Sequence, residues 1–232
     1  IIVIDWAVRG VIRIVAANYD VETKTTRMIM KKSIWMVLLM SIPMISVAQN
    51  TWEKPEAKQE ARKGVNIDEK YLEGAVPVVD GKVVYRKTFD APGKTAFELY
   101  NIIGKYFQSI TNEEGQINSL IVSADTTTHK IEASYEEWMQ FKSNFLSLDR
   151  AHFYYTLQAV CQNGKVAIEM AHIRYLYDEY RKPQRLKAEE WITDKEALNK
   201  KKTKLLPISG KFRRKTVDRK DVLFNNLEAL LK

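Results

Sequence analysis

The sequence has few of the residues that mark disulfide-bonded proteins and several large enzyme classes. Its 232 residues include one cysteine, nine glycines and six prolines. A single cysteine excludes an internal disulfide framework. The sequence also lacks a Gly-x-Ser-x-Gly nucleophile motif and a glycine-rich phosphate loop, which are signatures of α/β-hydrolases and of P-loop proteins. No catalytic motif is therefore recognisable.

A hydrophobic run long enough to span a membrane is also missing. The apolar segment Ile34 to Ile45 has twelve residues, whereas a transmembrane helix needs about 20. Lys31 and Lys32 precede this segment and Ser46-Val47-Ala48 follows it, which is the three-part layout of a secretory signal peptide. We expect cleavage near Ala48, export to the periplasm or cell envelope, and no transmembrane segment in the mature chain.

The signal-like segment divides the chain into parts. Residues 1–27 have no interpretable pattern and are expected to be an extension of the gene model, and residues 28–48 form the expected signal peptide. The polar, charged stretch 49–70 is typical of a flexible leader. Residues 71–232 are expected to fold as a single α+β domain with a basic C-terminal helical part from about 181 to 232.

Strand patterns dominate the expected domain. A strand from Val83 to Phe89 follows the tight-turn dipeptide Asp80-Gly81, and Gln162-Asn163-Gly164 is typical of a hairpin turn. Four further strands are expected at 117–124, 129–141, 152–161 and 165–178. In the last strand the apolar phase changes near Ala171, which indicates either a bulge or burial on both faces.

Helical patterns come before and after these four strands. Apolar residues at helical spacing predict a helix of about 17 residues ending at Ile110. Thr193 to Glu196 fits a capping box at the start of a short helix, Pro207 and Gly210 are expected to break the chain, and a final amphipathic helix covers Val217 to Leu231. This order of strand, helix, four strands and helix predicts a curved antiparallel sheet with helices packed on one face.

Two segments resemble an exported family of Gram-negative bacteria. They are Tyr71 to Val84, reading YLEGAVPVVDGKVV, and Lys187 to Asn199, reading KAEEWITDKEALN. The family is domain of unknown function 4468, and the resemblance implies a TATA-box-binding-protein-like fold from about Tyr71 to the C-terminus. It implies no chemistry, and likeness to the TATA-binding fold carries no nucleic-acid function.

Side chains suited to metal binding or nucleophilic chemistry are sparse. His129, His152 and His172 are the only histidines, and no two have close ligand spacing. The sequence therefore predicts no metal site and no cofactor. Cys161 lies in an alternating apolar run and is interpreted as a small buried hydrophobic residue.

Clustered carboxylates give the only hint of acid–base catalysis. Glu132, Glu136 and Glu137 share one strand, and Glu189-Glu190 precede Trp191. A hydrolase would need two carboxylates in one cleft with different environments. We expect these residues to lie on the solvent face of a sheet, so a hydrolase ranks below the other hypotheses.

The basic charge of the chain lies in its C-terminal part. Residues 181–232 contain 16 Lys and Arg against 7 Asp and Glu, whereas residues 49–180 contain 15 against 19. Such asymmetry favours an anionic partner, namely envelope lipid, polysaccharide or another envelope protein, and export argues against nucleic acid. The alternative is a solvated face with local ion pairs to Asp218 and Asp221. The candidate anion-binding residues are Lys200, Lys201, Lys202, Lys211, Arg213, Arg214 and Lys215.

Aromatic side chains offer a second candidate site. Tyr154, Tyr175, Tyr177 and Trp191, with Tyr180 beside them, are hypothesised to form a platform for a sugar or a peptide. The alternative is ordinary half-buried packing in the sheet. Together, these patterns predict an exported, non-enzymatic interaction or structural module at the cell envelope. The second hypothesis is a glycan- or small-ligand-binding module that uses the aromatic sheet face.

Overall fold

The computed structural model describes residues 68–144, 147–177 and 182–232. The expected gene-model extension, the signal peptide and most of the polar leader lie outside the described residues, as does Tyr180. No helix in the described ranges is long and apolar enough to cross a membrane.

Eight strands and four α-helices make up the described part. A 3-10 turn at Glu69–Tyr71 comes first. The elements in chain order are β1 (Val78–Val79), β2 (Lys82–Val83), β3 (Tyr85–Asp90), α1 (Ala96–Ile110), β4 (Leu120–Asp125), β5 (Lys130–Asn144), β6 (Ser147–Gln162), β7 (Lys165–Tyr177), β8 (Gln184–Lys187), α2 (Ala188–Trp191), α3 (Asp194–Ala197) and α4 (Ser209–Leu231).

The main sheet is antiparallel and has six strands. Its order is β3-β7-β6-β5-β4, and β8 also pairs with β7. β3 pairs with β7 from Lys165 to Met170, and β8 pairs with it from Arg174 to Tyr177. Both short strands therefore share one edge of β7 and leave a gap between them.

The hydrophobic core lies between the sheet and helices α1 and α4. Alternate residues of β5, β6 and β7 point into it, as strand geometry requires, and they join helix residues in one buried cluster. Aromatic rings stack across strands within this layer: Tyr135 on Tyr155 at 5.1 Å and Phe153 on Tyr175 at 5.5 Å. The predicted α+β fold, a sheet with helices on one face, is confirmed.

The predicted irregularity in the last long strand is a β-bulge. Tyr154 pairs with Arg174, but Thr156 pairs with Ala171, so β7 carries one extra residue opposite Tyr155. His172, inside the bulge, has a φ of 55°. The extra residue moves Ile173 and Tyr175 onto the core face, which explains the change of apolar phase.

Three local predictions in the helical parts are wrong. Thr193 does not cap α3; its hydroxyl donates to the Glu189 carbonyl at 3.4 Å. The reciprocal capping box instead begins α1, where Thr95 and Glu98 satisfy each other's backbone amides. α4 begins at Ser209 rather than Val217, and Gly210 lies in its first turn instead of breaking the chain.

The edge strand β8 was not predicted from the sequence. Its four residues are short and largely exposed, so they lack the apolar alternation that marks a strand. Pairing with β7 is what makes the segment extended.

Candidate functional site

The predicted basic cluster is split between exposed and internally bound side chains. Lys200 and Lys201 are exposed in the loop between α3 and α4. The neighbouring Lys202 lies in the same loop, and its ammonium binds Glu73 at 2.5 Å. Only part of this loop therefore matches the expectation of a basic, ligand-facing surface.

Arg213 was predicted to bind an anionic ligand, and that prediction is wrong. Its side chain is fully buried, with 0% exposure. The guanidinium donates to three carbonyl oxygens and one carboxylate at 2.5–2.7 Å. The acceptors are Tyr71, Leu72, Ile192 and Asp194. Arg213 thus ties the N-terminal segment and the α2–α3 region to α4.

The remaining members of the cluster are also engaged or partly buried. The Lys211 ammonium binds Asp149 at 2.7 Å and lies 4.3 Å from the centre of the Phe141 ring. Arg214 binds Asp68 at 2.5 Å, and Lys215 is half-buried. The seven residues do not form one exposed surface.

The predicted aromatic platform is likewise divided. Tyr175, Tyr177 and Trp191 surround Phe212, with ring centres 5.0, 5.4 and 6.1 Å away. Tyr175 is buried and its hydroxyl bonds Thr216 at 2.7 Å. These three rings are core packing, so the prediction of a four-residue platform is wrong.

Tyr154 lies on the opposite face of the sheet, which carries none of the described helices. We call this the outer face. It is defined by two rows of cross-strand neighbours, because paired residues of antiparallel strands share a face. One row is Glu136, Tyr154, Arg174 and Lys187; the other is Trp138, His152, Leu176 and Arg185.

Cations and aromatic rings are interleaved on the outer face. The Arg150 guanidinium carbon lies 3.5 Å from the centre of the Trp138 ring, and that of Arg174 lies 5.1 Å from the Tyr154 ring. The His152 ring lies 4.2 Å from Trp138, and its Nδ1 is 2.7 Å from a Glu136 oxygen. Each cation–π contact contributes about 0.5–2 kcal/mol, so these contacts favour the observed positions of the rings.

A cleft of about 410 Å³ opens beside the outer face, where the edge of β7 has no partner among the described strands. The hairpin β1–β2 forms one wall, and the bulge at His172 lies on the other side. Four basic and three acidic residues line it together with His172. The charged residues are Lys82, Arg86, Arg174, Lys187, Asp80, Glu169 and Glu189.

The expectation that the carboxylates of β5 all lie on the solvent face of the sheet is wrong for Glu137. Glu137 is 1% exposed on the core face, where Arg219 donates two hydrogen bonds to it at 2.7 and 2.9 Å. Glu136 points to the outer face and bonds His152. Because adjacent strand residues point in opposite directions, these two carboxylates cannot act on one substrate atom.

The other residues considered for chemistry are dispersed. His129 lies in the β4–β5 turn with a φ of 51°, and the His172 Nδ1 is 3.0 Å from the Thr156 hydroxyl. No group of three or more metal-ligating side chains gathers in the described ranges. Burial raises the pKa of Cys161 to about 11.

Comparison with known proteins assigns the family. The model described as "Domain of unknown function (DUF4468) with TBP-like fold" matches residues 85–176. A crystal structure of a DUF4468 family protein from Bacteroides ovatus is 42% identical, with a TM-score of 0.66. The match covers 71% of this chain and 94% of that chain. The chain belongs to the DUF4468 family.

A second bacterial structure shares the fold of this DUF4468 chain. It is a TBP-like protein from Parabacteroides distasonis, 19% identical, with a TM-score of 0.54 and coverage of 67% of this chain and 96% of that one. No curated protein matches the chain. The resemblance read from the sequence is therefore confirmed at the level of family and fold.

Of the outer-face residues of this DUF4468 chain, Tyr154 was predicted as a site residue, whereas Trp138, Arg150 and Arg174 were missed. Along β5, core residues alternate with polar residues that point to the outer face. These polar residues are Glu132, Ser134, Glu136 and Gln140. Trp138 interrupts this series of polar residues, and Arg150 and His152 pack against its ring. The sequence does not show that Arg150 and Arg174 lie near Trp138, because only the pairing of the strands brings these residues together.

Proposed function

We propose that this DUF4468 protein is an exported, non-enzymatic binding module of the cell envelope whose outer face binds an acidic polysaccharide. The observation that carries the proposal is the alternation of guanidinium groups and aromatic rings along the face that carries none of the described helices. Aromatic faces pack against the apolar faces of sugar rings, and arginines bind carboxylates.

The shape of the outer face favours an extended polymer. Its rows cross β5, β6, β7 and β8, which at about 4.8 Å per strand spacing gives a length of about 14 Å. Small ligands usually bind in concave sites that enclose most of their surface. Rows of this length suit a chain of several sugar residues better.

The charge of the outer face favours an acidic polymer. Arg174, Arg185 and Lys187 are exposed on it, and Arg150 is half-buried. The nearest carboxylates are engaged, Glu136 by His152 and Glu169 by Arg86 at 2.6 Å. The excess of cations complements a polymer with regularly spaced carboxylates.

Export is supported by the signal-like segment between Met30 and Gln49 and remains part of the proposal. Sequencing the N-terminus of the protein recovered from the periplasmic or extracellular fraction tests it. We expect the mature chain to begin at Gln49. Recovery only in the cytoplasmic fraction, with residues before Lys31 retained, would contradict export.

The binding proposal is tested by affinity electrophoresis in gels containing polygalacturonate or the neutral polymer dextran. We expect polygalacturonate to retard the protein and Trp138→Ala to weaken binding about tenfold, since stacked aromatic side chains dominate such contacts. Phe97→Ala is the matched control, because Phe97 is 55% exposed on α1 and lies away from the outer face. We expect it to bind as the unmodified protein does.

Two results would contradict the proposal. One is equal retardation of the unmodified protein and Trp138→Ala in polygalacturonate. The other is binding to phosphatidylglycerol vesicles without binding to polygalacturonate, which would make the partner a lipid.

A further inference from the structure

We propose that the cleft beside the bulge is the subsite for the carboxylate of a single sugar acid in the bound polymer. We call it the bulge cleft; it is the cleft of about 410 Å³ between the β1–β2 hairpin and residues 171–174 of β7. The inference rests on the proposed function and adds the residues that would distinguish an acidic sugar from a neutral one.

The bulge cleft exists because the edge of β7 is paired discontinuously. β3 begins at Tyr85 opposite Met170, and β8 ends at Lys187 opposite Arg174. Between these positions no described strand pairs with β7 on that side, and the bulge widens the gap. The β1–β2 hairpin stands beside the gap, with Val79, Asp80 and Lys82 lining it.

The charges in the bulge cleft leave a surplus of donors for an anion. The Glu189 carboxylate accepts the Val83 backbone amide at 3.0 Å, and Glu169 is bound by Arg86. The Arg86–Glu169 pair leaves Lys82, Arg174 and Lys187 against the carboxylates of Asp80 and Glu189, a surplus of one positive charge. Lys187 also lies 3.5 Å from Glu190, but both side chains are largely exposed, and such surface pairs are weak.

His172 adds an imidazole side chain at the same place. Its backbone has a positive φ of 55°, which costs energy for a residue with a side chain. The Thr156 hydroxyl engages Nδ1 at 3.0 Å, so Nε2 is the ring nitrogen left to meet a ligand. The strained backbone thus places an imidazole in the lining of the bulge cleft.

Arg174 connects the bulge cleft to the outer face. Its guanidinium carbon lies 5.1 Å from the Tyr154 ring centre, and the same side chain lines the cleft. A sugar packed on Tyr154 would therefore have its acidic substituent next to Arg174. Paired hydrogen bonds from arginine to a carboxylate are among the strongest in proteins.

The test is to titrate the isotope-labelled full-length protein with D-galacturonate, D-galactose or inorganic phosphate and to follow its amide NMR resonances. We expect galacturonate to shift resonances of residues 171–174 and Lys187, and galactose to leave them unchanged. Phosphate should bind more weakly than galacturonate because it has no ring to pack on Tyr154. In the double variant Arg174→Gln and Lys187→Gln, galacturonate affinity should fall about tenfold. Lys105→Gln, exposed on α1, is the matched control and should change nothing.

The inference is wrong if galacturonate leaves residues 171–174 unshifted, or if the double variant binds it as tightly as the control. Phosphate binding as tight as galacturonate would also overturn it, because the cleft would then be a general anion site. Failure of the proposed function has a different signature: Trp138→Ala would not change retention in polygalacturonate, whatever happens at the bulge cleft.

Discussion

Two arginines that the sequence places in a basic, solvated segment are fully buried in the structure. Arg213 and Arg219 both have 0% exposure. Each is surrounded by fixed oxygen acceptors, backbone carbonyls for Arg213 and carboxylates of Glu137 and Glu113 for Arg219. A buried charge is tolerated only when it is paired and hydrogen-bonded, and both arginines meet that condition.

Removing one partner of the Arg219–Glu137 pair should destabilise the fold strongly. Arg219→Met leaves the Glu137 carboxylate buried without its counter-charge, and we expect a loss of about 3–5 kcal/mol in the free energy of unfolding. Urea denaturation measures it. Arg214→Met is the control, because the Arg214–Asp68 pair is about one-third exposed on each side and should contribute less than about 1 kcal/mol.

The double variant Arg219→Met and Glu137→Leu completes this test. It removes both charges, so most of the lost stability should return. If the double variant is as unstable as Arg219→Met, the lost free energy of unfolding comes from packing volume rather than from the unpaired charge.

Cys161 should be almost unreactive in the folded protein. Burial raises its pKa from an ordinary value near 9 to about 11, and only the thiolate reacts with disulfide reagents. At pH 8 we expect labelling by Ellman's reagent about a hundredfold slower in the native protein than in urea. Equal rates in both states would contradict the buried thiol.

The same shift gives a stability effect at alkaline pH. The folded pKa lies above the unfolded one, so the stabilising contribution is complete below about pH 9. It is then lost as the pH rises from about 9 towards about 11. In the Cys161→Ala variant, the free energy of unfolding should lack this part of its decrease between about pH 9 and about pH 11. Urea denaturation at several pH values measures it.

At the scale of elements, the sequence predicts most of the sheet and misses features that depend on contacts distant in the chain. The change of apolar phase near Ala171 and the apolar stripe of α1 can be read from the sequence because each is a local periodicity; that the phase change is a bulge needs the strand pairing. The start of α4 could not be predicted, because glycine usually disfavours a helix and only the packing of Gly210 explains its place in the first turn. β8 is extended only because β7 pairs with it.

Two helical glycines should respond in opposite ways to alanine. At Gly210 an added Cβ would lie 2.8 Å from Leu205 Cβ, whereas at Gly104 the nearest atom is Ile131 Cδ1 at 3.5 Å. We expect Gly104→Ala to stabilise the fold by up to about 1 kcal/mol through helix propensity. Gly210→Ala should destabilise it by about 1–3 kcal/mol through overpacking. Thermal unfolding of the two variants measures both, and equal stabilisation would refute the close contact of α4 with Leu205.

At the scale of the whole molecule, net charge is a poor guide to the binding surface. The C-terminal third holds the excess of basic residues, yet Arg213, Arg219, Lys211 and Arg214 are used to attach α4 to the rest of the fold. Most of the candidate site comes instead from the middle of the chain, where the composition is acidic, and β8 adds Arg185 and Lys187 from the basic part. Composition could not reveal this, because strand register alone gathers Arg150, Arg174 and Trp138.

The most direct measurement compares two charge reversals of equal size for their effect on polygalacturonate binding. One variant carries Arg150→Glu and Arg174→Glu on the outer face, and the other carries Lys200→Glu and Lys201→Glu in the exposed α3–α4 loop. Both lower the net charge by the same amount, so non-specific attraction changes equally. The outer-face variant should lose at least about tenfold in affinity, and the loop variant less than about twofold. The reverse order would contradict the outer face as the binding surface and place it in the C-terminal basic segment.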